Sequence, residues 1–333
     1  LNHTGGGASS LDNGGQPGPI GPGFSEPMFE GALRYAKAFN NRFAFKLAVS
    51  YSQATDWYGT NMRDKNPERQ GSLSFNPGAD RVHAFGDEVA NSLGLVKISL
   101  APALANTPLN PFTQWLPDQV VSRTPYTEQY LVDYGAKNLK ANVGFNYRIT
   151  DKVELVYLLN YGAGTSVYTG AQRYSLKDFN IQQHKLELKG DNFFVRGYTT
   201  IEDSGDSYIA DLTGILINDT WKSNSQWYTD YSVGYLTYLA GLAGAGQYNP
   251  AIAPTTVQQE GAHNFGRGRA DVGRYLPGSE AFEKAKADAR TKVIPAGSLF
   301  NDKTKLYHVE AVSYTHLRAH ETKANLVCRL LLE

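Results

Sequence analysis

Several segments of the chain alternate apolar and polar residues over a long distance, and the clearest runs from Arg42 to Tyr51. One face of that segment carries Phe43, Phe45, Leu47, Val49 and Tyr51. The other face carries Arg42, Ala44, Lys46, Ala48 and Ser50. A strand of a globular protein usually has about 5–6 residues, whereas a tilted strand that crosses a bilayer needs about 9–11. The alternation therefore predicts membrane-crossing strands.

The same pattern recurs along the chain as antiparallel hairpins closed by short turns. The predicted turns are Asn40-Asn41, Thr150-Asp151-Lys152 and Gly190-Asp191-Asn192, and asparagine tolerates the positive φ that tight turns require. The predicted strands are Phe29 to Ala38, Arg42 to about Tyr58, Leu139 to Ile149, Val153 to Tyr161, Gln183 to Lys189, Phe193 to Thr200, and a further strand at Leu306.

The other connections are expected to be longer. Gly59 to about Tyr134 is predicted to be irregular, and Gly162 to about Arg173 is predicted to be a moderate loop. Beyond Glu202 the alternation weakens, and Leu212 to Ile217 and Trp227 to Leu239 are interpreted as additional strands. Short turns on one side and long loops on the other are typical of outer-membrane barrels.

One helix is predicted, from Gly278 to Lys292, with Ser279 as its N-cap. The predicted fold class is therefore all-β. It is a portion of an antiparallel transmembrane β-barrel with long extracellular loops and one short loop helix, and the barrel is incomplete. Residues 1–28 are expected to be a flexible lead-in, and residues 29–312 a partial barrel.

Composition and motifs narrow the function classes. The 333 residues contain 32 Lys+Arg and 32 Asp+Glu, so the net charge of +0 offers no reason to expect a nucleic-acid partner. No Gly-x-Ser-x-Gly, phosphate loop or paired cysteine cluster occurs, and Cys328 is the single cysteine. We therefore expect no enzyme activity and no cofactor. No metal site is expected either, because His316 and His320 have no third ligand nearby.

Five pieces of the chain together resemble the early barrel of TonB-dependent outer-membrane receptors of the Bacteroidetes type. These pieces are residues 34–46, 55–58, 168–177, 182–187 and 202–208. The resemblance implies a closed barrel of about 22 strands around a plug domain. Because six to eight strands are readable, the chain is expected to be a fragment of such a barrel.

The resemblance also implies location and partners. The protein would lie in the outer membrane, contact lipid, enclose its own plug domain, and take up a nutrient with energy delivered by the TonB complex through an N-terminal region. A surface lipoprotein is a further expected partner. The substrate stays open among glycans, peptides, siderophores and cobalamin, because specificity lies in loops.

Two groups of candidate residues follow from the predicted strands. The lumen-facing group is expected to bond mainly with the plug and water, and it comprises Lys46, Asn142, Asn146, Arg148 and Arg196. The external rim group either stacks on a ligand or forms an aromatic girdle, and the girdle interpretation is favoured. The rim group comprises Trp57, Tyr58, Tyr168 and Tyr174.

Two other function classes remain open. The first is a passive porin-like or structural outer-membrane barrel without a plug, which the sequence upstream of Leu1 would distinguish. The second is a soluble all-β binding or enzyme module.

From Val312 onward the alternation is lost, and the string Val312 to Thr322 resembles translated sequencing-adapter read-through. Residues 313–333 are therefore expected to be a non-native tail, and the alternative is a natural terminal amphipathic segment.

Overall fold

The computed structural model of the protein describes residues 27–314. The predicted lead-in lies outside these residues except for Pro27 and Met28, and so does the predicted tail except for Ser313 and Tyr314. The histidines and the cysteine singled out near the C-terminus lie outside them too.

The strands of the described part follow in chain order. They are β1 (Phe29–Phe39), β2 (Phe43–Thr55), β3 (Ala84–Phe85), β4 (Ala90–Ser92), β5 (Val120–Ser122), β6 (Tyr126–Thr127), β7 (Gly135–Thr150), β8 (Val153–Thr169), β9 (Arg173–Gly190), β10 (Phe193–Asp203), β11 (Tyr208–Ile209) and β12 (Lys303–Ser313). The helices are α1 (Leu93–Leu104), α2 (Glu128–Leu131), α3 (Ala210–Trp221), α4 (Asn224–Gly244), α5 (Thr256–Ala270) and α6 (Glu280–Thr291), and 3-10 turns cover Pro67–Gln70 and Asn110–Trp115.

A single antiparallel sheet contains the long strands. Its order is β1-β2-β7-β8-β9-β10-β12, and the short β11 pairs with β9. All of the predicted hairpin strands are confirmed, as is the return strand at Leu306. Asn40 and Asn41 have φ of 46° and 51°, so the first turn uses the left-handed conformation expected of asparagine.

The register keeps apolar residues together on one face of this sheet. Leu47 pairs with Val143, and Val143 pairs with Leu159, so one row of aliphatic side chains crosses three strands. Phe45 likewise pairs with Phe145, which pairs with Tyr157. Because a slip of one residue would move every side chain to the opposite face, this match between strands explains why the register is well defined.

Two insertions, residues 56–134 and 204–302, build a helical unit at the end of the sheet opposite the β1–β2, β7–β8 and β9–β10 turns. The short β8–β9 turn, residues 170–172, lies at the same end as this unit. Its core joins both insertions: Leu93 and Val121 of the first pack with Trp227 and Leu236 of the second. A second cluster joins Tyr126 of the first insertion to other residues of the second. Neither insertion therefore buries its apolar side chains alone.

The predicted all-β class is wrong. The described part has mixed content, with about 30% helix and 40% strand, and it combines a large antiparallel sheet with several helices instead of one loop helix. Helix α6 was the predicted one, and the hydroxyl of Ser279 caps it by accepting from the backbone N–H of Phe282. The other helices were missed.

The two weak strands predicted beyond Glu202 are in fact helical. Leu212 to Ile217 lies within α3, and Trp227 to Leu239 lies within α4. The residues that α4 buries are Trp227, Tyr228, Tyr231, Ser232, Gly234, Tyr235, Leu236 and Leu239. Their spacing of three to four residues is the helical period, and the many aromatic residues, which favour strands, concealed it.

The predicted loops also differ from the structure. The region from Gly162 to Arg173 is mostly strand, since β8 continues to Thr169 and β9 begins at Arg173. The region from Gly59 to Tyr134 is less irregular than predicted, because it contains α1, α2 and four short strands.

Candidate functional site

The five predicted lumen-facing residues all lie on the sheet face opposite the aromatic one. Lys46 pairs with Gly144, and Asn142 and Asn146 lie on the same face of the neighbouring strand. Arg148 pairs with Glu154 on that face. Arg196 lies farther along the sheet, opposite Glu187 on β9 and Glu310 on β12.

Amide side chains on this polar face form a chain of hydrogen bonds across four strands. Asn142 Nδ2 donates to Asn160 Oδ1 at 2.5 Å, and Asn160 Nδ2 donates to Gln183 Oε1 at 3.3 Å. Gln183 Nε2 then lies 3.5 Å from Thr200 Oγ1. The amides of β7, β8 and β9 therefore satisfy part of one another's hydrogen-bonding capacity.

Ion pairs continue the polar face toward β12. Arg196 donates from Nε and Nη2 to the same Glu310 oxygen, at 2.9 and 2.7 Å, and its Nη1 lies 3.8 Å from Glu187. Lys185 pairs with Glu187 at 3.3 Å. These side chains are partly exposed, so each pair contributes little stability, but the row keeps this face hydrophilic.

A cavity of about 670 Å³ opens on the polar face. Six strands contribute side chains to its wall, among them Arg34, Ser50, Lys140, Asn160, Gln183 and Thr200. Strands of one sheet lie about 4.8 Å apart, so a flat sheet would not bring six of them around one cavity. The sheet is therefore curved, with the polar face on the concave side.

The four predicted rim aromatics all lie at the end of the sheet that carries the helical unit. Tyr168 and Tyr174 are cross-strand partners with ring centroids 6.0 Å apart. Trp57 lies edge-on to His83 at 5.9 Å. Tyr58 instead packs on Tyr134 at 4.5 Å and belongs to the wall of the second core cluster.

Exposure separates these aromatic residues. Trp57 and Tyr168 are 57% and 54% exposed, so their rings are accessible to a ligand. Asp56 links the backbone of Trp57 to β8, because its carboxylate accepts from the backbone N–H groups of Trp57 at 2.8 Å and of Val167 at 2.7 Å. The structure therefore places two exposed aromatic rings at the ends of β2 and β8 nearest the helical unit, whereas Tyr58 has a packing role.

A group of carboxylates in the first insertion was missed by the sequence reasoning. Asp80, Asp87 and Glu88 each place one oxygen within 4.8 Å of the others. Burial raises the pKa of Asp87 to about 7 and that of Glu88 to about 8. The neighbouring charge of Asp87 also contributes to the raised pKa of Glu88. The adjacent acids Asp87-Glu88 were the available signal in the sequence, but acidic residues are common in irregular loops and do not by themselves indicate a site.

No helix in residues 27–314 is long and apolar enough to cross a membrane. No protein-family model matches the chain, and no curated protein or solved structure matches it.

Proposed function

We propose that this protein is an outer-membrane receptor for the TonB-dependent uptake of a nutrient, and that its large sheet forms part of the membrane-spanning wall. The apolar face of that sheet is the single observation that carries the proposal. The helical unit would then lie outside the cell, and the short turns would lie on the periplasmic side. The protein would perform no bond chemistry.

The apolar face has the exposure that a lipid-facing surface requires. Leu33, Tyr147, Leu186 and Val309, which lie on strands β1, β7, β9 and β12, are 64%, 48%, 52% and 66% exposed. A water-soluble monomer rarely exposes a contiguous apolar patch above a few hundred Å². Contact with lipid explains why such side chains recur across the whole sheet.

The height of the apolar face matches a bilayer. On β2 the apolar residues run from Phe43 to Tyr51, about 27 Å along the strand. The usual strand tilt of about 35–45° reduces this length to about 19–22 Å, which is close to the height of roughly 25 Å of an outer-membrane apolar band. Above it, Gln53 pairs with Lys137, and Lys137 pairs with Thr165, so a polar row marks the upper boundary.

Aromatic rings line the opposite boundary, next to the short turns. Phe43 stacks with Phe145 at 6.3 Å, and Phe145 stacks with Tyr157 at 6.2 Å. Phe39 adds a further ring at 6.0 Å from Phe43. Aromatic residues concentrate at membrane–water interfaces because their rings tolerate the headgroup region.

The concave polar face supports a role in uptake. Its amides and ion pairs provide a hydrophilic surface, which would face the plug domain and water. The proposed partners are outer-membrane lipid, the plug, the TonB complex and a surface lipoprotein. The exposed rings of Trp57 and Tyr168 are proposed to contact the nutrient at the outer rim.

Membrane insertion is tested with two adjacent substitutions on β2. Leu47→Arg places a charge on the proposed lipid face, and Ala48→Arg places the same charge at the same depth on the polar face. We expect Leu47→Arg to reduce the stability of the protein folded in lipid vesicles by about 2–4 kcal/mol and Ala48→Arg to have little effect. Equal effects, or a wild-type protein that stays in the aqueous phase, would contradict the proposal.

The receptor is distinguished from a passive pore by the gene upstream of Leu1. A receptor gene is expected to encode a plug domain and a TonB-contact segment in the same reading frame. A stop codon directly upstream, together with steady ion conductance across planar bilayers, would support the passive pore and exclude the receptor.

A further inference from the structure

The carboxylates of Asp80, Asp87 and Glu88 converge in the helical unit, away from the proposed membrane surface. One oxygen from each lies within 4.8 Å of the other two. A spacing of this size fits oxygens that share one cation, because Ca²⁺–oxygen distances are about 2.3–2.6 Å. The three residues lie within one short segment of the first insertion. Strands β3 and β4 of this part of the insertion pair with β6 and β5, which lie within residues 120–127.

The carboxyl groups at this site outnumber the cationic side chains that contact them. Lys65 Nζ pairs with Asp80 Oδ1 at 2.6 Å, and Arg81 Nη1 pairs with Asp87 Oδ2 at 3.0 Å. Asp64 adds a carboxylate, since its Oδ1 accepts from the backbone N–H of Asp80 at 3.0 Å. Two cations therefore face four carboxyl groups.

Helix α3 supplies a further carboxylate. Asp211 lies in its first turn and interacts electrostatically with Glu88. The backbone N–H of Arg173 donates to Asp211 at 3.2 Å. When these carboxyl groups are ionised, their like charges repel one another, and a bound cation offsets that repulsion.

Two oxygens of the group are buried without a donor among the described residues. Asp87 is 0% exposed; its Oδ2 accepts from the backbone and guanidinium of Arg81, while Oδ1 has no partner. Glu88 likewise has one bonded and one unbonded oxygen: Oε2 accepts from the backbone N–H of Gly86 at 2.6 Å, and Oε1 has no partner. A buried oxygen without a partner is costly, and a cation ligated by it removes that cost.

We infer that Asp80, Asp87 and Glu88 bind a divalent cation, and that the cation is Ca²⁺. The candidate ligands are all oxygen atoms, which hard cations prefer, and carboxylates that can be mono- or bidentate suit the flexible coordination of calcium. Lys65 is 41% exposed, so its side chain can turn to solvent and release Asp80 Oδ1 to the ion.

The bound ion would tighten the contact between the first insertion and helix α3. Gly86 lies between the ligands and α3, and a Cβ atom there would lie 2.6 Å from the Asn218 side chain and 3.3 Å from the backbone of Gly214. Calcium would therefore stabilise the joint between the two insertions. This inference does not depend on the proposed transport function, because every residue it uses belongs to the helical unit or its junction with β9.

Isothermal titration of the metal-free full chain with CaCl₂ tests the site. We expect a single site with a Kd of about 0.1–1 mM, the range of extracellular calcium modules, and a rise in Tm on calcium addition. Glu88→Gln and Asp80→Asn should each weaken binding about tenfold or more. Glu283→Gln and Asp288→Asn, which change exposed acids of α6, should leave it unchanged.

Several results would overturn the inference. The first is the absence of both heat and a Tm shift at about 10 mM CaCl₂, which is far above the expected Kd. The second is wild-type affinity in the Glu88→Gln and Asp80→Asn variants. The third is tighter binding of Mg²⁺ than of Ca²⁺. Because Asp80 is only partly buried, Asp80→Asn is the variant least expected to disturb folding, and its tryptophan fluorescence should match that of the wild type before titration.

Discussion

Arg173 at the start of β9 donates two hydrogen bonds to the buried carboxylate of Glu128, from Nε at 3.0 Å and from Nη2 at 2.8 Å. Tyr134 adds a hydroxyl donor to Glu128 at 2.7 Å. Glu128 is 0% exposed and belongs to the first insertion, whereas Arg173 belongs to the large sheet. This pair therefore joins the helical unit to the sheet.

Glu128→Gln is expected to destabilise the helical unit by about 3–5 kcal/mol, because it leaves the Arg173 guanidinium buried without its counter-ion. Thermal or denaturant unfolding followed by tryptophan fluorescence measures the effect. Asp288→Asn is the matched control, since its ion pair with Lys292 is exposed and is expected to contribute less than about 1 kcal/mol. Equal effects of the two substitutions would mean that the buried pair has no special role.

The buried side chain of His263 should make the free energy of unfolding depend on pH. Its Nδ1 contacts the hydroxyl of Tyr231 at 2.8 Å, and burial, with a smaller contribution from Arg267, lowers its pKa to about 3. Of the other groups nearby, Glu260 opposes this shift, while Tyr235 packs its ring edge-on to the imidazole.

The folded state therefore keeps His263 neutral, while the unfolded chain protonates it below pH 6.5. The stabilising contribution is complete above pH 6.5 and is lost as the pH falls toward 3, at about 1.4 kcal/mol per pH unit. Denaturant unfolding at pH 4 to 7 should give a steeper loss for the wild type than for His263→Phe. Parallel profiles of the two proteins would show that His263 does not titrate as described.

A close crossing of α4 and α5 depends on glycine. A Cβ atom on Gly266 would lie 2.7 Å from the backbone oxygen of Tyr231, whereas a Cβ on Gly241 would meet nothing within 4 Å. Gly266→Ala is therefore expected to destabilise the protein by about 1–3 kcal/mol through overpacking. Gly241→Ala is expected to stabilise it by about 0.5–1 kcal/mol, because alanine favours helix. The same sign for both variants in thermal unfolding would refute the close crossing.

The rim aromatics should divide into two classes on substitution. Tyr58→Ala removes a ring packed on Tyr134 and is expected to cost about 1–3 kcal/mol of unfolding free energy. Tyr168→Ala removes an exposed ring and should change that free energy by less than about 0.5 kcal/mol. Unfolding midpoints of the two variants, measured side by side, check the division; a larger loss for Tyr168→Ala would reverse the assignment.

Alternation along the chain determined the strands of the sheet and the faces of their side chains. Phe43, Phe45 and Leu47 lie on one face of β2 because the side-chain period of a strand is two, whatever the rest of the molecule does. Asn40 and Asn41 determined the first turn, and Ser279 determined the start of α6, because these are local effects of one or two side chains.

Only the tertiary structure decided the remainder. Helix α4 forms where Tyr231 and Leu236 find a common core with α1 and α5, and this packing outweighs the strand preference of its aromatic residues. Glu128 is buried because Arg173, distant in the sequence, reaches it, and Asp87 and Glu88 are buried because both insertions fold together. Local periodicity defines an element, but the charge and burial of a side chain depend on which distant residues the fold brings to it.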